Sequence, residues 1–444
     1  MLVARHAGLA RAGGRYGPPP WPRDDTEATA VPSDWLLAAA GLVLVVGVGR
    51  IGGALATRAG QPQIAGEMVA VVFIGPTVLG GQVDGVVDGA AATGAVGTLF
   101  PPASVDLLTV VGSLGLVLYM LLVGLTIDPR PMARRGGGIA LLTIAVSGAT
   151  AVVAVLAAHW LQSGGGWAGT SAAGAGFELA LAAALIANGV PVVARILEER
   201  GLLRTELGAL IIASGACVTT LALSISGVAV KGGDAGAAGR FGLVLVAAAA
   251  LVVIGAAVVR SHGHRLVPGL AVVLLVGGAV AAGAAGQRLL GTALLGPLLV
   301  GIAVHGDGAP ASSVEARLGG LVRNVLLPVF LGVAALHTNL RDLGPDVLPP
   351  VAAILAAVIA VKLAAGYGAA RVVGLSRSDA GAVAALLQCG GTMTVAISLA
   401  VLDGRLITPR THAALMLCGL VTTVLAGPLL RRGRPAVASR SWDC

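Results

Sequence analysis

Charged and aromatic residues are scarce in this sequence, and their scarcity excludes a water-soluble protein. Of the 444 residues, 11% are charged and 3% are aromatic, whereas 56% are hydrophobic. A soluble domain carries about 25% charged residues, so this chain cannot cover a globular surface with polar groups. The composition therefore predicts an integral membrane protein that crosses the lipid bilayer several times.

Lysine and cysteine are also rare. The 29 basic residues include only two lysines, Lys231 and Lys362, and the four cysteines have neither a disulfide pattern nor a zinc spacing. The formal net charge of +8 does not indicate nucleic-acid binding, because cytoplasmic loops of membrane proteins collect basic residues. We therefore expect no nucleic-acid partner, no metal and no other cofactor.

Long apolar runs separated by short loops rich in Arg, Gly and Pro make up most of the chain. Each run is about 20 residues long, the length that a helix needs to cross the hydrocarbon core. We predict thirteen transmembrane helices, at residues 35–56, 64–80, 105–127, 139–161, 177–197, 206–230, 241–260, 266–286, 289–305, 318–337, 347–373, 379–402 and 412–430. Residues 1–34 lack a continuous apolar run and are predicted to form a disordered N-terminal tail, and residues 432–444 a short cytoplasmic tail.

The distribution of arginine predicts the orientation in the membrane. Arginine is concentrated in the C-terminal tail and in the loops that follow the odd-numbered predicted helices. Basic loops stay on the cytoplasmic side of a membrane. We therefore predict a multi-pass protein of the cell membrane with its C-terminus in the cytoplasm and its N-terminus outside.

The second to sixth predicted helices share features, in the same order, with the ninth to thirteenth. Gly75-Pro76 matches Gly296-Pro297, and the fifth and twelfth helices are interrupted at Asn188-Gly189-Val190-Pro191 and at Gly390-Gly391. The offset of seven helices is odd, so the two five-helix halves run in opposite directions. Inverted repeats with interrupted helices are typical of secondary transporters, whose binding site lies near the bilayer midplane.

Several motifs resemble the monovalent cation:proton antiporter-2 family, the sodium/hydrogen exchanger-like transporters, over about residues 35–431. The most specific stretch begins at Pro191-Val192-Val193-Ala194-Arg195-Ile196-Leu197 and continues to Gly208, and it is similar to the family's fifth and sixth helices. Gln61-Pro62-Gln63-Ile64-Ala65-Gly66-Glu67 resembles the second helix. The resemblance implies an all-α fold of thirteen helices, an ion site between two crossing broken helices, a homodimer and elevator-like alternating access.

The sequence departs from this family at the positions that the resemblance assigns to the site. The family's sixth helix carries two adjacent aspartates that bind the cation and exchange protons, and these positions are Val218 and Thr219 here. The Arg and Glu of the family's twelfth helix correspond to Gly390 and Thr394. Lys362, which in the family can pair with an aspartate of the site, is kept.

Exchange of a cation for a proton needs a group that binds either one but not both at once. A carboxylate at the midplane can do this, because desolvation raises its pKa, whereas hydroxyls stay protonated. Glu67 is the best remaining carboxylate, and the alternative is that it only satisfies neighbouring backbone or arginine groups. Lys362 is costly inside a membrane unless it is paired or faces water. It either carries the proton, anchors an anionic solute, or holds the crossing together through backbone carbonyls or Glu67.

The predicted site contains one basic, one acidic and four neutral side chains: Lys362, Glu67, Asn188, Thr219, Thr220 and Thr392. The first hypothesis is a secondary active transporter that exchanges a monovalent cation such as Na⁺ or K⁺ for protons at this atypical site, with hydroxyls and freed carbonyls as ligands. The second is a repurposed scaffold that binds a lipophilic metabolite without ion exchange, as an exporter, a resistance factor or a membrane-embedded tailoring enzyme. No catalytic dyad or metal motif supports the enzyme, so we expect a transporter.

Overall fold

The structure is a computed structural model. It describes residues 31–80, 83–84, 91–92, 94–126, 135–172, 174–230, 268–290, 293, 295–304, 309–336 and 339–432. The regular structure of these residues is helical, apart from one short antiparallel pairing of β1 (Val83–Asp84) with β2 (Ala91–Ala92) and an isolated bridge between Ala168 and Ile407.

Seventeen α-helices lie in the described part of the chain. They are α1 (Val31–Arg58), α2 (Gln63–Val72), α3 (Pro76–Leu79), α4 (Gly94–Leu99), α5 (Pro102–Thr126), α6 (Gly136–Gly164), α7 (Gly176–Ile186), α8 (Val190–Glu199), α9 (Glu206–Val230), α10 (Pro268–Leu290), α11 (Leu295–Ala303), α12 (Ala309–Leu321), α13 (Leu327–Leu336), α14 (Leu348–Val372), α15 (Arg377–Leu387), α16 (Gly391–Asp403) and α17 (Pro409–Arg432). A π-helical turn, Val322–Leu326, joins α12 to α13, and a 3₁₀ turn, Leu340–Asp342, precedes α14.

The predicted fold class, a helical polytopic membrane protein, is confirmed. Nine stretches of the described chain are long and apolar enough to cross a membrane as helices. Twelve of the thirteen predicted spans have helical counterparts, and the other, 241–260, lies outside the described residues. The count of thirteen therefore stays a prediction. The predicted tails fall almost wholly outside the described residues, and α1 begins at Val31 rather than at residue 35.

The second predicted span is broken rather than continuous. α2 ends at Val72, and α3 begins at Pro76 after a short turn. Proline has no backbone N–H and its ring collides with the preceding helical turn, so it is favoured at the start of a helix and kinks or breaks a helix from the interior. Gly75-Pro76 therefore ends one helix and begins the next.

The helices pack into two groups. The scaffold group contains α1, α2, α5 and α10–α13, and the crossing group contains α6–α9 and α14–α17. Contacts within each group are far more numerous than contacts between them. The groups meet mainly where α8 and α17 lie against α2, where α8 lies against α5, and where α16 lies against α13.

The backbones of α1 and α2 are in direct contact within the scaffold group. A Cβ atom on Gly52 would overlap the carbonyl oxygen of Gly66 and the side chain of Ala70. In turn, a Cβ atom on Gly66 would overlap the carbonyl oxygen of Gly52 and the side chain of Ala56. Small residues spaced by four are the usual means by which helices approach closely in membranes. The two helices therefore form one tightly packed hairpin.

The fifth and twelfth predicted spans are both broken, as the sequence predicts. Between α7 and α8, Pro191 cannot donate to the carbonyl of Ala187 four residues earlier, and its ring would collide with that carbonyl in a continuous helix. Between α15 and α16, Gly391 has a φ of 52°, which glycine adopts at little steric cost. The two breaks meet, because the N–H of Gly189 donates to the carbonyl of Cys389 at 2.8 Å.

Candidate functional site

The two helix breaks are in backbone contact at the centre of the crossing group. A Cβ atom on Gly189 would lie 3.0 Å from both the carbonyl oxygen of Gly390 and the Cα of Gly391. Each break also leaves carbonyl oxygens at the end of its first half-helix without the N–H groups of a following turn. Carbonyl oxygens that have lost their helical partners therefore lie close together at the crossing. The groups that donate hydrogen bonds to these oxygens determine what the site can bind.

Asn188 supplies partners for the break in the opposite repeat. Its side-chain Nδ2 donates to the carbonyls of Leu386, Leu387 and Cys389 at 3.0, 3.1 and 3.1 Å. The residue is 0% exposed. One carboxamide thus caps the carboxyl end of α15 and ties the first break to the second.

Lys362 performs the equivalent task on the first break. From α14, its Nζ donates to the carbonyls of Ile186 and Ala187 at 3.2 and 3.1 Å, and the residue is 1% exposed. One of these carbonyls is the group that Pro191 leaves unbonded. The carboxyl end of a helix attracts cations, so α7 stabilises the ammonium group. Within the described residues, Lys362 forms no ion pair with a carboxylate.

The predicted threonines lie in different surroundings. Thr219 is buried and donates to the carbonyl of Asn188 at 2.7 Å, so it belongs to the crossing. Thr220 is half-buried and donates within its own helix, to Ala216 at 2.8 Å. Thr392 follows the second break and lines a small cavity of about 30 Å³ together with apolar residues that include Met68 and Met416.

Four buried side-chain oxygens in these segments have no hydrogen-bond partner among the described residues: Asn188 Oδ1, Gln388 Oε1, Ser214 Oγ and Thr392 Oγ1. Asn188 Oδ1 points at α9, where a Cβ atom on Gly215 would lie 2.6 Å from it. Gln388 and Ser214 are not among the predicted site residues. Gln388 lies just before the second break. A polar residue in an apolar run is the sequence feature that could have identified it as a site residue.

Glu67 has partners of its own away from the crossing. Its Oε1 accepts a hydrogen bond from Gln63 Nε2 at 2.7 Å and lies 3.6 Å from Arg50 Nη1. The carboxylate is nearly fully buried, at 2% exposure. These contacts favour the alternative in which Glu67 satisfies neighbouring groups. Its role in proton transfer stays a prediction.

A network of ion pairs that sequence reasoning missed lies at the far end of α8. Arg323 in the π-helical turn contacts Glu198 at 2.6 Å and Glu315 at 2.5 Å, and Arg195 contacts Glu198 at 3.3 Å and Glu199 at 3.5 Å. Arg323 lies within a stretch long and apolar enough to span a membrane, Ser313–Val333. An ionisable residue inside such a stretch is a functional candidate by default. The sequence could therefore have identified Arg323 as a candidate.

The crossing therefore offers neutral oxygens and one ammonium group. Among the described residues, Lys362 is the charged side chain that contacts it. Amide, hydroxyl and backbone carbonyl oxygens can coordinate a monovalent cation at the ends of broken helices. Lys362 contacts two of these carbonyls, so a cation that bound them would have to displace the ammonium group.

Comparison with known proteins gives consistent matches over most of the chain. Residues 42–432 match the family model described as sodium/hydrogen exchanger, transmembrane. The Na⁺/H⁺ antiporter NhaS4 of Synechocystis sp. is 27% identical over 417 residues, which cover 91% of this chain and 98% of that protein. The solved structure of the sodium proton antiporter MjNhaP1 from Methanocaldococcus jannaschii at pH 8 covers 90% of this chain and 100% of that chain. Its TM-score is 0.59 at 14% identity, which shows a shared fold.

Two eukaryotic relatives are longer than this chain. Cation/H⁺ antiporter 20 of Arabidopsis thaliana is 24% identical over 409 residues, which cover 87% of this chain and 47% of that protein. K⁺/H⁺ antiporter 1 of Saccharomyces cerevisiae is 24% identical over 396 residues, which cover 83% of this chain and 43% of that protein. The chain thus spans less than half the length of these two relatives.

Proposed function

The chain belongs to the transmembrane sodium/hydrogen exchanger family, and from this premise we propose that it is a secondary active antiporter that exchanges a monovalent cation such as Na⁺ or K⁺ for protons. The relatives named as Na⁺/H⁺ and K⁺/H⁺ antiporters support this proposal. The exchange takes place at the crossing of the broken helices, in a site that lacks the family's usual aspartates.

The proposal for the site rests on one observation: the ammonium of Lys362 is held by the carbonyls of Ile186 and Ala187. When Lys362 is protonated, its ammonium group donates hydrogen bonds to these two oxygens. When it releases its proton, the neutral amine holds these carbonyls more weakly and a monovalent cation displaces it. The oxygen of Asn188, the next residue along the chain, has no hydrogen-bond partner among the described residues and is a further candidate ligand. Proton and cation are thereby bound alternately, as exchange requires.

The remaining predicted features belong to the same proposal. The transport domain spans residues 35–431, between an N-terminal tail and a short cytoplasmic tail. The protein lies in the cell membrane with its N-terminus outside and its C-terminus in the cytoplasm, because arginine is concentrated in the loops assigned to the cytoplasm. It forms a homodimer, as the family resemblance implies. The comparisons do not favour the repurposed, metabolite-binding scaffold.

Transport in everted membrane vesicles tests the function. A pH gradient is established, and Na⁺ or K⁺ is added at several values between about pH 6 and 9. We expect the cation to collapse the gradient in vesicles that contain the wild-type protein. Lys362→Ala should abolish the response, because it removes the proton carrier.

The controls separate Lys362 from other charged groups. Arg371→Ala removes an exposed cation from the same helix, α14, and should retain exchange. Glu67→Gln should also retain exchange, because Glu67 already has its own partners. Absence of any cation response in the wild type would refute the proposed function. Loss of exchange in Glu67→Gln but not in Lys362→Ala would instead mean that Glu67 is the proton carrier.

A further inference from the structure

We infer that Arg323 is a positioning residue for the exchange site and that it acts through Glu198 on the half-helix α8. The inference rests on the proposed function, because it states that Arg323 fixes the position of α8, the half-helix that begins at the first break. Arg323 itself does not touch the crossing in the contacts described above. Its influence on exchange must therefore pass through its ion-pair partners.

The ion pair between Arg323 and Glu198 joins the two helix groups. Arg323 belongs to the π-helical turn next to α13 in the scaffold group, and Glu198 lies in the last turn of α8 in the crossing group. Their side chains are 20% and 28% exposed, and the Nε–Oε1 distance is 2.6 Å. Contacts between the groups are few, and this ion pair, in which Arg323 Nε makes no hydrogen bond among the described residues, is one of two polar contacts that attach the carboxyl end of α8 to the scaffold.

A neighbouring contact ties the same end of α8 to α2. The backbone N–H of Gln63, at the start of α2, donates to Glu199 Oε2 at 2.9 Å, and Arg195 contacts both Glu198 and Glu199. The carboxyl end of α8 is thus attached to the scaffold at two places. Of the two attachments, only the one made by Arg323 can be removed by changing a scaffold side chain, because Gln63 contributes its backbone.

The network is balanced in charge, which favours a mechanical role over an ion-binding one. Glu198, Glu199 and Glu315 face Arg195 and Arg323, and Arg200 also interacts electrostatically with Glu199. Glu67 also interacts electrostatically with Arg195 and Glu199 and lies 3.6 Å from Arg50. Four carboxylates therefore face four guanidinium groups. No excess negative charge requires a bound cation, so the contacts serve to hold elements together.

The half-helix α8 connects this network to the crossing. Its ten residues, Val190–Glu199, span about 15 Å as a helix. Its amino end is the first break, beside Asn188 and Gly189, and its carboxyl end carries Glu198 and Glu199. A single short helix moves as a rigid unit, so releasing one end alters the freedom of the other.

Tyr119 is a buried polar side chain close to this network. It lies on α5, is 1% exposed, and its hydroxyl has no hydrogen-bond partner among the described residues. The same hydroxyl interacts electrostatically with both Arg323 and Glu198. When Arg323 separates from Glu198, its charge is still compensated, because Glu315 stays in contact with it.

The experiment uses the full chain in proteoliposomes and compares Arg323→Gln, Glu198→Gln and the double variant. We measure the maximal rate of Na⁺- or K⁺-driven proton flux, the cation concentration at half-maximal rate, and hydrogen exchange of the α8 amides. Each single variant should change the maximal rate by about threefold or more in the same direction, while the half-maximal concentration stays within about twofold. Amide exchange in α8 should rise in each.

The pattern across variants distinguishes positioning from general damage. The double variant should match the single variants, because each of the three lacks the same Arg323–Glu198 bridge. Arg323→Lys keeps the positive charge and should have a smaller effect than Arg323→Gln. Glu315→Gln is the matched control, because Glu315 contacts Arg323 within the scaffold group and does not reach α8. It should leave the rate and the α8 exchange unchanged.

Three results would overturn the inference: additive effects in the double variant, unchanged α8 exchange in Arg323→Gln, or an effect of Glu315→Gln as large as that of Glu198→Gln. If the wild-type protein moves no cation, the proposed function fails. Hydrogen exchange in α8 still decides in that case whether Arg323 positions the half-helix.

Discussion

Asn188 and Lys362 cap the two broken helices reciprocally. Asn188, in the first repeat, donates to the end of α15 in the second repeat, and Lys362, in the second repeat, donates to the end of α7 in the first. Each side chain therefore supplies hydrogen bonds that the other half of the molecule has lost at its break. Removing either one would leave the helix end that it caps without these hydrogen bonds.

Gly215 is needed for Asn188 to keep its position. A Gly→Ala change inside a helix normally stabilises a protein by about 0.5–1 kcal/mol. At Gly215, however, the new methyl group would lie 2.6 Å from Asn188 Oδ1 and displace the carboxamide from its carbonyl partners. We expect Gly215→Ala to lower the free energy of unfolding by about 1–3 kcal/mol, the cost of unsatisfied buried polar groups. Thermal unfolding in detergent measures the change.

Gly227 on the same helix provides the matched control. A Cβ atom there would meet nothing within 4 Å, so Gly227→Ala should be neutral or stabilising. Equal melting temperatures for Gly215→Ala and Gly227→Ala would mean that the position of the Asn188 side chain does not depend on Gly215.

The threonines show what the sequence could and could not predict at this scale. Residue types alone place Thr219 and Thr220 on one predicted helix, but adjacent residues point about 100° apart on a helix. Packing decides which of them faces the crossing, and the structure selects Thr219. Lys362 was predictable as a costly charge in an apolar run, whereas its backbone partners were not, because Ile186 and Ala187 belong to a distant part of the chain.

At the scale of elements, helix breaks were predictable and the ion-pair network was not. Proline and glycine act locally, so Pro191 and Gly391 mark the two breaks in the sequence itself. The partners of Arg323, by contrast, come from other helices. The π-helical turn that carries Arg323 also has no proline or glycine signal within Val322–Leu326.

The contact between the breaks gives a prediction for Gly189. The methyl group in Gly189→Ala would lie 3.0 Å from the carbonyl oxygen of Gly390 and would push the two breaks apart. Displacements of this kind at a binding site are costly, so we expect exchange in proteoliposomes to fall by about tenfold or more. Gly381→Ala on α15, where a Cβ atom meets nothing within 4 Å, should retain wild-type exchange. Retained activity in Gly189→Ala would show that the breaks tolerate separation.

At the scale of the whole molecule, the charge of the site predicts the stoichiometry of exchange. The crossing carries one positive charge when Lys362 is protonated. It carries the same charge when neutral Lys362 faces a bound monovalent cation. Both loaded forms therefore move equal charge, which corresponds to one proton for one cation.

Exchange should accordingly be electroneutral over a complete cycle. In proteoliposomes with Na⁺ as the transported cation, a K⁺ diffusion potential of either sign, set with valinomycin, should leave unchanged the pH gradient at which net proton flux stops. A potential shifts this balance only when a complete cycle moves net charge. A balance that depends on the sign of the potential would mean that the stoichiometry is not one proton for one cation.

The backbone contact between α1 and α2 limits where the molecule can deform. With Gly52 against Gly66, neither helix can slide past the other without a steric collision. We therefore expect any movement between the helix groups to take place where α8 and α17 lie against α2, where α8 lies against α5 and where α16 lies against α13. In the proposed exchange the hairpin would form a fixed surface, and the ion pair between Arg323 and Glu198 would break and re-form as the crossing group moves.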